Sequence, residues 1–318
     1  MTRIDVMDYE LLSTAIDIAL SSGNLGTLIS LAEISSDLVA KQLSLHEKFP
    51  DELFKAILVN PEEGVHLYCM VRWSLNLRTR RLFRSILSKV LVKHAANLIS
   101  TTSRTVPGYG ALAKVGYTPG LDFDVEETID ALLSKSKRLD EISYEDIVAL
   151  ERRRKRKRAV LLLDSSGSMS GKKMAIASVL TAAMAYLLRS GDYSVILFNS
   201  KAEVLHPFGR RANSSSLIER ILDIVPLGYT NIREALLLAK HQAKNYKNVK
   251  YILVTDGKYN VGGDPSDIAR KMNNLNVVSV SRRGASTSCV KLARLGGGRC
   301  YVVRSVKDVP RVVSQILG

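Results

Sequence analysis

The sequence predicts an α/β protein in which a mostly parallel sheet wrapped by helices is preceded by an all-α N-terminal domain. Residues 1–101 repeat apolar side chains at helical spacing, residues 103–122 break every periodic pattern, and short β-branched runs alternate with helical stretches from Ala159 onward. The predicted domains are therefore residues 1–150, all-α with a loop arm near 103–122, and residues 151–318, the α/β domain.

Apolar residues recur every three or four positions in the N-terminal segments LLSTAIDIALSS, LISLAEISSDLVAKQL and LFRSILSKVLVKHAANLI, which is typical of helices. The arm at 103–122 holds four glycines and two prolines, which favour loops. Helices are predicted again at 124–137 and 143–158. In the second, Ser143 and Asp146 form an N-terminal capping signal, and a basic run at 152–158 lies at the end where the helix dipole favours cations.

Five apolar runs predict the parallel strands of the sheet, at residues 159–164, 193–198, 249–256, 276–281 and 300–303. Helices are predicted at about 172–190, 215–224, 232–246, 265–274, 287–295 and 307–317. The segment AEVLHPF follows the strand YSVILF through the turn NSKA, and we expect it to add an antiparallel edge strand. The most apolar window, residues 174–188, is shorter than the roughly 20 residues needed to span a bilayer, so it predicts a buried helix.

The net charge of +15 is divided unequally between the two halves of the chain. Residues 1–150 carry 16 basic and 20 acidic side chains, net −4, whereas residues 151–318 carry 30 basic and 11 acidic side chains, net +19. A basic half of this kind favours an acidic partner, which is a nucleic acid, an anionic membrane surface or an acidic protein.

The three cysteines, Cys69, Cys289 and Cys300, show neither zinc-site spacing nor a disulfide framework. Free thiols are expected, with a bridge between Cys289 and Cys300 as the alternative. The N-terminal residues lack the basic and then apolar layout of a signal peptide. These observations predict a cytoplasmic protein without a membrane span.

Polar residues cluster where the predicted strands end, at the edge of the sheet where ligands bind in open α/β folds. The first strand ends in DSSGS, whose alternate residues Asp164, Ser166 and Ser168 can point at one centre. Asp256 follows a second strand, and Thr230 lies in a loop just ahead of a helix. Carboxylate and hydroxyl oxygens are hard donors that suit Mg²⁺, with Mn²⁺ as a second possibility. We expect the three hydroxyls to ligate the ion directly and the two carboxylates to act through metal-bound water.

The DSSGS segment, the later threonine and the later TDG resemble the metal-ion-dependent adhesion site of von Willebrand factor A (VWA) domains, over residues 159–318. The resemblance implies a Rossmann-like domain with a six-stranded, mostly parallel sheet. It also implies Mg²⁺ at Asp164, Ser166, Ser168, Thr230 and Asp256, with its coordination completed by an acidic side chain of a partner. The helical N-terminal half and the segment Pro119 to Asp130 resemble, in layout, CoxE-like proteins that work with MoxR-type AAA+ ATPases.

Enzymatic motifs fit the sequence poorly. The frame from Gly167 to Gly171 places Met169 where a serine hydrolase has its nucleophile. The stretch from Gly167 to Lys173 is one residue too short for a phosphate-binding loop. Phosphotransfer through an Asp164 nucleophile is the remaining enzymatic alternative, although Ser166 stands where an acid is expected. The sequence predicts a protein that is not an enzyme.

The predicted function is a metal-dependent protein-interaction adaptor whose partner exposes an Asp or Glu, with an AAA+ ATPase as the candidate partner. Two alternatives stay open. RNA binding, as in Ro-like proteins that also join a helical domain to an A domain, would explain the basic charge. A subunit of the metal-chelatase type would dock its A domain onto an AAA+ ring, although no ATPase sequence is present.

Overall fold

The computed structural model describes residues 6–46, 49–103, 111–116, 122–123, 125–134, 146–153, 158–188, 193–210, 213–281 and 283–317. The chain forms two units, one made of Met1–Thr102 together with Lys157–Gly318 and the other of Ser103–Arg156. The predicted division into a domain of residues 1–150 and a domain of residues 151–318 stays a prediction.

The N-terminal region is helical over about 100 residues, as predicted. Asn24 begins the second helix by accepting a hydrogen bond from the Thr27 amide at 3.0 Å, and Pro61 occupies the first turn of the fourth, where its missing N–H costs nothing. The helices are α1 Val6–Ser22, α2 Leu25–Leu45, α3 Asp51–Val59, α4 Pro61–Val71 and α5 Leu77–Ser103.

The second part of the same unit contains a six-stranded sheet of order β6-β5-β4-β7-β8-β9. Its strands are β4 Arg158–Asp164, β5 Tyr193–Phe198, β6 Ala202–His206, β7 Val249–Thr255, β8 Leu275–Val280 and β9 Gly297–Val303. The edge strand β6 is antiparallel and all other pairs are parallel, which confirms the predicted fold class. The flanking helices are α7 Lys172–Leu187, α8 Ser214–Leu222, α9 Ile232–Gln242, α10 Ser266–Ala269, α11 Thr287–Leu295 and α12 Val309–Leu317.

Helix α7 is buried all round, with an unbroken run of buried residues from Met174 to Ala185. It packs against α4 as well as against α8 and α12, so the N-terminal helices and this face of the sheet share one apolar core. Its two inner polar residues, Ser178 and Thr181, donate hydrogen bonds back to helix carbonyls at 2.8 Å. The prediction of a buried helix here is confirmed. No described helix is long and apolar enough to cross a membrane.

The unit Ser103–Arg156 corrects two sequence predictions. It contains β1 Ala111–Gly116, β2 Asp122–Phe123, α6 Val125–Ser134 and β3 Val148–Arg153, in a sheet of order β1-β3-β2. The arm at 103–122 therefore holds strand residues, and the predicted helix at 143–158 is wrong, since 148–153 pairs antiparallel with β1. Cross-strand pairing outweighs the local capping signal. Helix α6 confirms the prediction at 124–137 over Val125–Ser134, since residues 124 and 135–137 lie outside the described residues.

An ionic cluster joins the helical region to the α/β part of the same unit. The Asp223 carboxylate, just after α8, accepts a hydrogen bond from the Tyr68 hydroxyl at 3.1 Å and contacts the guanidinium groups of Arg80 and Arg84. Arg72 donates to the backbone carbonyl of Leu222. Burial, followed by the charge of Asp223, raises the pKa of Tyr68 to about 12, so this hydroxyl stays a donor at physiological pH.

We expect Asp223→Ala to lower the free energy of unfolding by about 2 kcal/mol, because it leaves the buried Tyr68 hydroxyl and the half-buried Arg80 without their acceptor, while Arg84 keeps only Glu219. Urea denaturation measures this change. The matched control is Asp267→Ala, which removes an exposed pair with Arg233 and should change the stability much less, because solvent screens this pair. Equal losses in the two variants would contradict a stabilising role for Asp223.

Candidate metal centre

Two carboxylates lie at the carboxyl ends of adjacent strands. Asp164 ends β4, Asp256 directly follows β7, and these strands pair in parallel with Leu163 opposite Val254. The two predicted acidic residues therefore reach the same edge of the sheet. This is the edge at which open α/β sheets bind ligands.

The Asp164 side chain is fully buried and both its oxygens accept hydrogen bonds. Oδ1 accepts from the Ser166 amide at 2.9 Å, and Oδ2 accepts from the Thr255 hydroxyl at 2.6 Å. Burial raises the pKa of Asp164, although the hydrogen bonds from Ser166 and Thr255 oppose this rise. A cation bound nearby would stabilise the ionised carboxylate. Thr255 was missed at the sequence level, although its place directly before Asp256 was the signal.

The two serines of the DSSGS segment converge. A single turn of 3₁₀ helix over Gly167–Met169 brings Ser166 Oγ within 3.2 Å of Ser168 Oγ. In octahedral Mg²⁺ sites, metal–oxygen bonds of about 2.1 Å place neighbouring ligands about 3.0 Å apart. The observed separation of the hydroxyls is close to this spacing. Ser166 is buried and Ser168 is exposed, so the centre opens to solvent on the Ser168 side.

Thr230 lies in a loop fastened to the DSSGS turn. The Gly167 amide donates to the Gly228 carbonyl at 3.3 Å, and the Leu227 amide donates to the Ser165 carbonyl at 3.0 Å. The Thr230 amide donates to Asn260 Oδ1 at 2.8 Å, which fixes the backbone of this residue. Thr230 is only 3% exposed, and its hydroxyl has no hydrogen-bond partner among the described residues. The loop thus delivers a third hydroxyl beside the turn.

A lysine reaches into the site, which the sequence analysis did not assign to it. Lys173 Nζ lies 2.9 Å from Asp256 Oδ2 and donates to the Ser168 carbonyl, also at 2.9 Å. Burial acts to raise the pKa of Asp256, but the hydrogen bonds from Lys173 and Ser168 and the charge of Lys173 outweigh it and lower that pKa. Asp256 is therefore ionised at neutral pH, with Lys173 as its partner.

The donor atoms fit a small, hard divalent cation. Two carboxylates and the convergent hydroxyls supply only oxygen, which suits Mg²⁺ or Mn²⁺. Within the described part of the chain, no group of three or more His, Cys, Asp or Glu side chains is arranged to hold a metal, so a zinc-type ligand set is not seen there. The five predicted residues are the ones that would hold the ion: Asp164, Ser166, Ser168, Thr230 and Asp256.

The helical region touches the turn that follows the serines. Gly171 has a φ of +64°, and a Cβ on it would lie 3.2 Å from Nε2 of His66 in α4. His66 Nδ1 is buried without a hydrogen-bond partner in the described structure. Burial, and then the charge of Lys172, lowers the pKa of His66. The imidazole is therefore neutral where it packs on this turn.

This environment predicts an acid-sensitive contact. A histidine whose pKa is lower in the folded state stabilises the fold above its ordinary value of 6.5, and this stability is lost as the pH falls below it. Between about pH 7 and about pH 5, His66→Gln should lose less unfolding free energy than the wild type, by about 1 kcal/mol. Urea denaturation at each pH measures the difference. Parallel losses in the two proteins would contradict the prediction.

The fold and site together define an α/β domain with an oxygen-donor centre at the carboxyl edge of its sheet. The family model of the von Willebrand factor type A domain matches residues 159–258. This segment of the chain therefore matches a VWA domain, as the sequence resemblance implied, although the match covers less than half of the chain. A search of curated proteins gives no significant match.

The solved structures that resemble this fold are distant from the chain in sequence. A membrane protein related to aerotolerance from Bacteroides fragilis is 18% identical, with a TM-score of 0.43 over 51% of this chain and 98% of that one. A von Willebrand factor type A protein from Catenulispora acidiphila is 18% identical, with a TM-score of 0.41 over 54% of this chain and 45% of that one. Mussel byssus proximal thread matrix protein 1, with a zinc-occupied MIDAS motif, is 18% identical, with a TM-score of 0.39 over 51% and 47%. Similarities this low carry no inference about function.

Proposed function

We propose that this protein is a non-enzymatic adaptor that binds Mg²⁺ at Asp164, Ser166, Ser168, Thr230 and Asp256 and captures an acidic side chain of a protein partner. The observation that supports it most is the pair of hydroxyls 3.2 Å apart beside two carboxylates, with Ser168 facing solvent. Bound Mg²⁺ would supply an electrophilic centre with a coordination position open to a carboxylate.

The residues of the proposed metal site have different roles in binding the cation and the partner. Ser166 and Ser168 present neutral oxygens, which leave more of the ion's charge for an incoming carboxylate than anionic ligands would. Asp164 is held behind them by Ser166 and Thr255 and supplies a buried negative charge. Asp256 forms an ion pair with Lys173, so less of its negative charge is available to neutralise the bound cation. Each of these features favours an anionic partner over a neutral one.

The buried state of Asp164 also supports a binding role over phosphotransfer. A nucleophilic carboxylate needs an accessible oxygen, whereas both oxygens of Asp164 accept hydrogen bonds inside the protein. We propose further that the partner is an AAA+ ATPase of the MoxR type, in a cytoplasmic, chaperone-like complex. The layout of a helical region ahead of a VWA domain supports this finer proposal.

Affinity capture tests the proposal. The immobilised chain is incubated with lysate of its source cells in Mg²⁺, eluted with a chelator, and the eluted proteins are identified by mass spectrometry. We expect an ATPase to elute with chelator and to be lost with Ser168→Ala. Ser30→Ala, an equal change at an exposed serine of α2, should retain it. A partner retained unchanged in chelator, or hydrolysis of a phosphate ester that depends on Asp164, would overturn the proposal.

A further inference from the structure

A cavity of about 450 Å³ adjoins the candidate metal centre, at the carboxyl ends of β7, β8 and β9. Asp256 belongs to its wall and is also one of the predicted site residues. Val280 and Val303, the last residues of β8 and β9, give it an apolar part together with Ile176 of α7. Its size falls within the range of about 300–1,000 Å³ that is usual for ligand pockets.

Cations dominate the polar part of this cavity. Five basic residues line it, and they come from the start of α7 and from the segments that follow β7, β8 and β9: Lys172, Lys173, Lys258, Arg283 and Arg304. They are brought together by the fold from four separate places in the chain. Such a concentration of one sign in a cleft focuses a positive potential on whatever enters it.

The two carboxylates of the cavity neutralise little of this charge. Asp256 is paired with Lys173, and Glu62 of α4 accepts a hydrogen bond from the Val306 amide at 3.3 Å. The other four cations are exposed, and none of them forms an ion pair within the described ranges. Five cations face only two carboxylates, so the cavity keeps a net positive charge, and an anionic ligand relieves the remaining repulsion among the cations.

We propose that this cavity is a second anion subsite, which binds further carboxylates of the acidic partner segment whose first carboxylate is captured at the metal centre. The inference rests on the proposed function. An acidic peptide fits better than a free phosphate, because a peptide can place separate carboxylates near Lys258, Arg283 and Arg304, which reach the cavity from different segments of the chain. A compact polyanion would instead hold its charge close to Glu62 and Asp256. The subsite makes the protein selective for clustered acidic residues.

The test uses a fluorescein-labelled hexaglutamate peptide, whose binding to the full chain is followed by fluorescence anisotropy in Mg²⁺. The double variant Arg283→Gln/Arg304→Gln should bind the peptide at least about tenfold more weakly than the wild type. The matched control is Arg270→Gln/Arg294→Gln, an equal loss of charge at two exposed arginines outside the cavity, and it should change affinity less than about twofold. Mn²⁺ titration followed by electron paramagnetic resonance should give equal metal affinity for all three proteins.

The subsite proposal would be overturned if hexaglutamate did not bind the wild type, or if the two double variants lost equal amounts of peptide affinity. It would also be overturned if tripolyphosphate displaced the labelled peptide at a lower concentration than unlabelled hexaglutamate does. A cavity variant that loses affinity for a single-stranded RNA but not for hexaglutamate would also overturn it. A chelator arm separates the two proposals. If chelator leaves peptide affinity unchanged while the cavity variant weakens it, metal-dependent capture fails and the anion subsite stands.

Discussion

Asp164→Asn will lower the affinity for Mg²⁺ or Mn²⁺ by about 100-fold or more while the protein stays folded. The amide is almost the same size as the carboxylate, and its oxygen can still accept a hydrogen bond in place of the buried acid. What it removes is the negative charge behind Ser166 and Ser168. Isothermal titration with Mn²⁺ measures the loss.

The effect of Asp164→Asn on the free energy of unfolding is expected to depend on whether the metal is bound. Burial raises the pKa of Asp164, so the metal-free fold loses stability as the pH rises from the carboxyl's ordinary pKa of 3.8 through the raised pKa. In chelator at neutral pH, Asp164→Asn should therefore be at least as stable as the wild type. At Mg²⁺ concentrations about 100 times the wild-type dissociation constant, the wild type should gain about 2.7 kcal/mol and the variant about 0.4 kcal/mol or less.

The control is Asp164→Ala, which leaves the Thr255 hydroxyl and the Ser166 amide without their acceptor. It should cost about 2 kcal/mol in chelator, because buried donors lose their hydrogen bonds. In Mg²⁺ the same loss remains, and the variant also forgoes the gain of about 2.7 kcal/mol that the metal gives the wild type. If Asp164→Asn bound Mn²⁺ as tightly as the wild type, Asp164 would not be part of the metal site. A large loss of stability in chelator would show that its charge is structural.

The α/β part was predictable because its inner strands β4, β5 and β8 are buried along almost their whole length. Strand β5 is buried at every residue and reads in sequence as the uninterrupted apolar run YSVILF. The unit Ser103–Arg156 was not predictable in this way. Its strands β1 and β3 pair residues about forty positions apart, such as Leu112 with Arg152, and their composition carries no period of its own. Long-range pairing of this kind leaves little local signal.

The residues of the candidate site also fall into a group that could be predicted from the sequence and a group that could not. Asp164 and Asp256 follow strand runs, so their place at the sheet edge could be predicted from chain order alone. Thr255 and Lys173 act through contacts that span 91 and 83 positions of the chain. Nothing in the local sequence around Lys173 indicates that its ammonium group holds Asp256. Such contacts follow from the way α7 packs beside the ends of β4 and β7.

Gly257→Ala is expected to destabilise the protein strongly, with a loss of about 3 kcal/mol or more in the free energy of unfolding. Gly257 has a φ of +87°, and a Cβ on it would lie 2.0 Å from Ser286 Oγ and 2.6 Å from Cys289 Sγ. Ser286 cannot simply turn away, because its hydroxyl caps α11 by accepting a hydrogen bond from the Cys289 amide at 3.2 Å. The substitution adds backbone strain to the loss of a helix cap.

Gly263→Ala separates these effects. Gly263 also has a positive φ, +79°, but a Cβ on it would meet no atom within 4 Å, so this change adds strain alone, about 1 kcal/mol. Urea denaturation of both variants measures the excess due to the steric clash, and Mn²⁺ titration shows whether displacement of the turn also moves Asp256, the preceding residue. We expect metal affinity to fall in Gly257→Ala and to stay unchanged in Gly263→Ala. Equal stability of the two variants would mean that the contact between this turn and the cap of α11 is loose, and that the position of Asp256 does not depend on it.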